Sequence, residues 1–206
     1  MRLPPKTAWP KTGRSQRWLL VSIGCLLALL LAVATFFMAG PKGSTRVPGG
    51  DFSLNSADGP QTLSRWRGQA LIIYFGYTSC PDACPTALAA TGQALALLKP
   101  AELALVQPLF ISVDPERDHL AALKTYAAFF HPKLLGLTGS PAQIAELARR
   151  YGVYYHRQET ASANGYTVDH SSSLYILDAA GKIVTILPHA VTPPQIAAAL
   201  RQALPH

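Results

Sequence analysis

Residues 70–88 read ALIIYFGYTSCPDACPTAL, and the succession of residue types in this stretch decides the fold. Ala70 to Phe75 is a continuous apolar run rich in β-branched and aromatic residues, the pattern of a strand buried on both faces. Pro85 suits the first turn of a helix, which the sequence continues to Leu98 and closes at Lys99-Pro100. Cys80 and Cys84 lie between the two, each followed by a proline. A buried strand that feeds a helix in this way opens a parallel β–α–β unit.

The second strand of that unit falls within Leu105 to Val113 and runs out into Ser112-Val-Asp-Pro-Glu-Arg-Asp118. Before the unit, Asp51–Leu54 and Gln61–Leu63 flank the turn residues Ala57-Asp-Gly-Pro60 and predict a hairpin. After it come a helix over His119 to Phe130 and another started by Ser140-Pro141 and ended at Tyr151-Gly152. A short strand at Val153–Tyr155 follows, then a hairpin of Ser173–Leu177 with Lys182–Leu187. Thr192-Pro-Pro-Gln195 reads as a capping box that opens a last helix to Leu204. A parallel pair joined to a later antiparallel hairpin makes a mixed sheet. The pattern predicts an α/β fold over residues 51–206; a three-layer sandwich of thioredoxin type fits it, as would some other small α/β folds.

The chain before that domain is of another kind. Trp18 to Ala39 carries no charge and would span about 33 Å as a helix at ~1.5 Å per residue, enough for a ~30 Å hydrocarbon core. Arg2, Lys6, Lys11, Arg14 and Arg17 precede it with no acidic residue, which predicts a cytoplasmic N-terminus and an exported domain. A cleaved signal peptide is the rival reading, but its apolar core is ordinarily about 7–15 residues. Cys25 sits inside the apolar run and reads as a small apolar residue of the span. The chain therefore divides into a basic N-terminus (1–17), a transmembrane anchor (18–39), a flexible tether (40–50) and the exported domain (51–206). The net charge of +7 belongs mostly to the N-terminus; without its five basic residues, 13 basic residues face 11 acidic ones. Such a balance gives no basic surface for nucleic acid.

Two cysteines with three residues between them admit a redox pair, a metal claw or a structural disulfide. A bridge across so short a loop would constrain little chain entropy. At a helix N-terminus both sulfurs are candidates for thiolates, the form that attacks disulfides and binds soft metals. Met1 and Met38 both lie at or before the expected span, which excludes a methionine-rich copper site. Closed structural zinc sites want four ligands, and the exported part has no third cysteine. Two thiolates and one imidazole form a soft set suited to copper. Of His119, His131, His156, His170, His189 and His206, the sequence favours His170. It precedes a buried strand, on a loop at the sheet end, with Asp169 beside it as a candidate orienting group.

Phe75-Gly-Tyr-Thr-Ser-Cys-Pro-Asp-Ala-Cys-Pro85, the 112–118 stretch, Gly136-Leu-Thr-Gly139 and Val168-Asp-His-Ser-Ser-Ser-Leu-Tyr-Ile-Leu-Asp178 together resemble the SCO/SenC family of cytochrome oxidase assembly proteins. The resemblance runs in order from about Gly49 to Leu204. It implies a thioredoxin-like domain that binds one copper ion, Cu(I) or Cu(II), through Cys80, Cys84 and His170. It also implies a role in maturing the copper centre of a cytochrome c oxidase subunit, by delivering copper or by reducing that centre's cysteines. The second role would make Cys80 and Cys84 a catalytic thiol–disulfide pair. Asp114, Asp118 and Asp169 are then expected behind the ligands or facing a partner. The implied partners are the oxidase subunit, a periplasmic copper donor or thioredoxin-like reductant, and the bacterial inner membrane through residues 18–39. A peroxiredoxin-like peroxidase is a further reading, opposed by Asp82 beside the cysteines and by the lack of a nearby arginine in sequence.

Overall fold

The structure, a computed structural model, describes residues 24–27, 29–31, 49–160 and 165–205. Residues 1–46 and 47–206 form two separate units. In the first, residues 24–27 and 29–31 are helical and exposed. The rest of the expected anchor lies outside the described residues, and among these no helix is long and apolar enough to cross a membrane. Most of the expected tether, residues 40–48, lies outside them as well, but Gly49 already bridges Lys182.

The second unit is built on β3 (Ala70–Gly76), all seven residues of which are buried. Its neighbours are β4 (Val106–Ser112), parallel, and β8 (Leu174–Leu177), antiparallel. Beyond these, β5 (Leu135–Leu137) runs parallel to β4, and β9 (Ile183–Leu187) antiparallel to β8. The order β5-β4-β3-β8-β9 is the expected mixed sheet. Two hairpins lie outside its ladders: β1 (Ser53–Ser56) with β2 (Gly59–Thr62), bridged by Asn55 to Thr138 at the end of β5, and β6 (Tyr155–Glu159) with β7 (Tyr166–His170).

Side-chain alternation along β3 sends Tyr74 and Gly76 to one face and Phe75 to the other. On the first face Tyr74 stacks beside Phe110, and Phe110 meets Tyr126 of α3 (Leu120–Phe130). The same layer holds α1 (Ala83–Ala96) and α5 (Pro193–Ala203), which pack against each other. On the second face Phe75 and Tyr175 both meet Tyr151 of α4 (Pro141–Tyr151). A helix layer on each side of the sheet completes the thioredoxin-like sandwich. The helix ends follow their capping residues. The Ser140 hydroxyl accepts from the Gln143 N–H at 3.3 Å, and Gly152 closes α4 in the left-handed region at φ 68°.

The structure departs from the sequence reading at several edges. Pro100 does not merely close α1; it opens a short helix α2 (Pro100–Ala104). α1 begins two residues before Pro85, so Cys84 lies inside its first turn. The strand expected at Val153–Tyr155 starts only at Tyr155 and continues to Glu159. β5 and β7 have no counterpart in the expected element order. His170, expected on a loop, ends β7.

The α1–α3 contact is close enough to reverse a familiar effect. Replacing a helix-interior glycine by alanine ordinarily gains about 1 kcal/mol. A Cβ on Gly92, however, would come 2.5 Å from the Phe130 carbonyl oxygen, a backbone atom. Gly92→Ala should instead destabilise the fold by about 1–3 kcal/mol, the usual cost of overpacking, seen as a lowered Tm in thermal unfolding.

Candidate metal centre

The cysteine loop leaves β3 at Gly76 and is fixed before it reaches Cys80. The Asp118 carboxylate accepts from the Thr78 N–H at 3.0 Å, the Thr78 hydroxyl at 2.5 Å and the Ser112 hydroxyl at 2.6 Å. Asp118 is only 1% exposed, so these donors replace the water that a buried charge has lost. Gly76 is where the sheet must yield space: a Cβ there would fall 2.5 Å from the Cys84 sulfur.

The two sulfurs occupy unlike environments. Cys84 is fully buried, while Cys80 is partly exposed, and its sulfur accepts from the Cys84 backbone N–H at 3.4 Å. That N–H is one of the unpaired donors at the start of α1. The hydrogen bond from the Cys84 thiol, helped by backbone N–H groups, holds the Cys80 pKa well below the usual thiol range. The same bond, with burial and the Cys80 charge, pushes Cys84 up. The pair thus keeps one proton, held on Cys84, and presents a thiolate at Cys80.

His170 reaches the pair from β7. Its Nδ1 lies 3.0 Å from the Ser171 carbonyl oxygen. A carbonyl can only accept, so Nδ1 carries a proton, and in the neutral ring Nε2 is the nitrogen that offers a lone pair on the sulfur side. Nε2 is 3.8 Å from the Cys80 sulfur and 3.4 Å from the Cys84 sulfur. Metal–sulfur bonds of about 2.3 Å and metal–nitrogen bonds of about 2.0 Å put sulfur and nitrogen about 3.5–3.7 Å apart around a tetrahedral or trigonal ion. The observed separations bracket that value. The three ligand atoms all lie within 4.8 Å of one another, and among the described residues no other such group of His, Cys, Asp or Glu occurs. Tyr74 and Tyr77 set ring edges against the imidazole, at centroid distances of 6.0 and 5.7 Å, and restrict its rotation.

The structure brings Cys80, Cys84 and His170 together, and none of the three aspartates is in that cluster. Asp114 and Asp118 are buried, which takes them off any partner-facing surface. Asp114 accepts from Arg117 Nε at 2.5 Å and from the Tyr166 hydroxyl at 2.8 Å. Asp169 is exposed and sits opposite His156 in the β6–β7 ladder, so the group that orients His170 is the Ser171 carbonyl and not Asp169. His119 caps α3, and His131 Nδ1 accepts from the Lys133 N–H. His156 and His189 are exposed, and His206 lies outside the described residues. Sequence reasoning missed Thr78, Ser112, Ser171 and Tyr166. Only Thr78, two residues before Cys80, carried a positional hint.

The unequal thiols predict unequal alkylation. In the reduced, metal-free protein, iodoacetamide should label Cys80 and spare Cys84. The Cys80 rate should stay nearly constant between about pH 5 and pH 7, where an ordinary thiol loses roughly tenfold per pH unit. Peptide mass spectrometry separates the two sites, and equal labelling would contradict the assignment of the proton.

Comparison with known proteins places this geometry. The model of the SCO1/SenC family matches residues 41–205. The mouse "Protein SCO2 homolog, mitochondrial" is 47% identical over 134 residues, covering 64% of this chain and 52% of its own length. The "SCO2-like protein RC0895" of Rickettsia conorii is 38% identical over 171 residues, covering 80% of this chain and 82% of its own. Among solved structures, Bradyrhizobium japonicum ScoI with copper bound aligns with a TM-score of 0.70 at 39% identity. That alignment covers 76% of this chain and 99% of that one. The chain spans about half the length of the first mitochondrial relatives it matches. As the family match runs through every element of the sandwich, the chain belongs to the SCO1/SenC family.

Proposed function

We propose that this protein is a membrane-tethered copper carrier that holds one copper ion between Cys80, Cys84 and His170 and helps mature the copper centre of cytochrome c oxidase. The observation that carries this reading is the spacing of the three donor atoms, already near that of a bound ion. Copper here is cargo. Two sulfurs and an imidazole suit Cu(I), and a three-coordinate ion keeps one side open to an incoming ligand. Cys80, the more exposed sulfur, is the ligand an acceptor would displace first. The copper-bound relative from Bradyrhizobium japonicum supports the choice of metal. The uncharged run Trp18–Ala39 and its basic flank support a single-pass anchor in a bacterial inner membrane, N-terminus inside and domain in the periplasm. Such an anchor would raise the effective concentration of the domain beside a membrane-bound oxidase. A periplasmic copper donor or a thioredoxin-like reductant would supply the site.

A second reading, thiol–disulfide exchange, is favoured by the unequal cysteines. The Cys80 thiolate would attack a target disulfide and release one target thiolate, forming a mixed disulfide. Cys84, on losing its proton, would then attack the Cys80 sulfur. The products are a Cys80–Cys84 disulfide and a target reduced by two electrons.

His170 separates the readings, since exchange needs only the sulfurs. His170→Ala should weaken copper(I) binding by more than about 100-fold, beyond what loss of an orienting partner alone does, and leave exchange with a small disulfide largely intact. Wild-type affinity in that variant would remove the three-ligand site. Because Cys80 is already charged, copper(I) binding at neutral pH should release about one proton, from Cys84. Titration calorimetry in buffers of different ionisation enthalpy reads that number directly, and a value near two would mean both thiols begin protonated.

A further inference from the structure

The hairpin that carries His170 has little of its own to hold it in place. No ladder joins β6–β7 to the five-stranded sheet among the described residues. An isolated two-stranded hairpin is marginal in water. Strand alternation puts Tyr166, Val168 and His170 on one face of β7. Tyr166 and Val168 are buried, while Thr167 and Asp169 between them are more exposed. The inward face is therefore what docks the hairpin, and Tyr166 makes its polar contacts there.

Those contacts converge on a single loop, residues 114–118. The Tyr166 hydroxyl donates to Asp114 Oδ1 at 2.8 Å. Arg117 Nε donates to the other oxygen at 2.5 Å, and Arg117 Nη1 donates to the Tyr166 carbonyl at 2.9 Å. The Arg117 guanidinium lies 3.6 Å over the Tyr166 ring, and that of Arg157 lies 3.7 Å from the same ring. The ring is gripped through its hydroxyl, its face and its backbone at once. The same loop ends in Asp118, which holds Thr78 and so the approach to Cys80. Its turn is closed by the Asp118 N–H donating to the Asp114 carbonyl at 2.9 Å. One short loop therefore holds both parts of the metal site: the dithiol through Asp118, and the imidazole through Asp114, Arg117 and Tyr166.

We propose that Tyr166 is a positioning residue for metal binding: clamped by Asp114 and Arg117, it holds the β6–β7 hairpin so that His170 Nε2 stays within reach of the two sulfurs. Tyr166 touches neither sulfur nor imidazole in any hydrogen bond of the site, and acts only through the strand it shares with His170. This inference rests on the three-ligand copper reading.

The test is a double-mutant cycle on the full chain, with copper(I) affinity measured by competition against a chromophoric chelator. Wild type, Tyr166→Phe, His170→Ala and the double variant are compared. Tyr166→Phe keeps the ring stacked against both arginines and removes only the hydroxyl. It should lower copper(I) affinity about 10- to 100-fold, the range seen when a partner that orients a ligand is removed. In the His170→Ala background the same change should cost nothing further, and the reduction potential of the Cys80/Cys84 pair should equal that of wild type. An equal loss with and without His170 would show that Tyr166 acts on the sulfurs or on the whole fold, and would overturn the proposal. So would unchanged affinity in Tyr166→Phe. If wild type and His170→Ala bind copper(I) equally, the three-ligand reading fails first and this one with it.

Discussion

The arrangement of the site depends on a carboxylate taken out of water. Asp118 is buried at the C-terminal end of the central strands, where a charge is costly unless every water it has lost is replaced. Its replacements are Thr78, from the loop after β3, and Ser112, from the last residue of β4. That requirement ties the connecting loop of a β–α unit to its neighbouring strand. Without such a tie, the loop between β3 and α1 would be free to place Cys80 in many positions. A loop at the C-terminal end of parallel strands is a common location for ligands in α/β proteins. Here the site adds a strand-borne histidine from outside the sheet.

The two sulfurs share one proton, and this gives the pair two capacities at once. A thiolate at Cys80 is ready as a nucleophile and as a soft ligand, while Cys84 waits behind it in protonated form. Ser171 fixes Nδ1 of the imidazole, which turns Nε2 toward the two sulfurs. Copper binding and thiol exchange draw on the same asymmetry. They differ in whether the imidazole is needed, which is why both functions are compatible with one constellation.

Much of this was legible in the sequence. β3 and α1 stand out because their signals are strong and local: an apolar run buried on both faces, then a proline suited to a helix start. The two sulfurs follow from the same stretch. β7 was not legible, since Tyr166-Thr-Val-Asp-His170 is short, half polar, and paired with an exposed strand, so its alternation carries little hydrophobic weight. β5 was hidden by Gly136, a weak strand former that is required where a Cβ would come 2.8 Å from the Leu123 backbone oxygen. The partners of the ligands were least legible of all. Asp118 to Thr78 spans 40 residues and Tyr166 to Asp114 spans 52, separations at which no local pattern signals contact. The buried aspartates illustrate the point: an acidic stretch reads as surface until the donors around it are known.

The Ser171 carbonyl has a consequence for how firmly a metal is kept. Resident metal sites often back a histidine with a carboxylate, whose negative charge makes the imidazole a stronger donor. A backbone carbonyl fixes the same tautomer with only a dipole behind it. The carbonyl orients the imidazole while strengthening it as a donor less than a carboxylate would, and its bond to a metal is correspondingly easier to break. Under the proposed carrier role, such a backing would favour release: the ring is held in register for capture, yet adds little to the barrier against transfer.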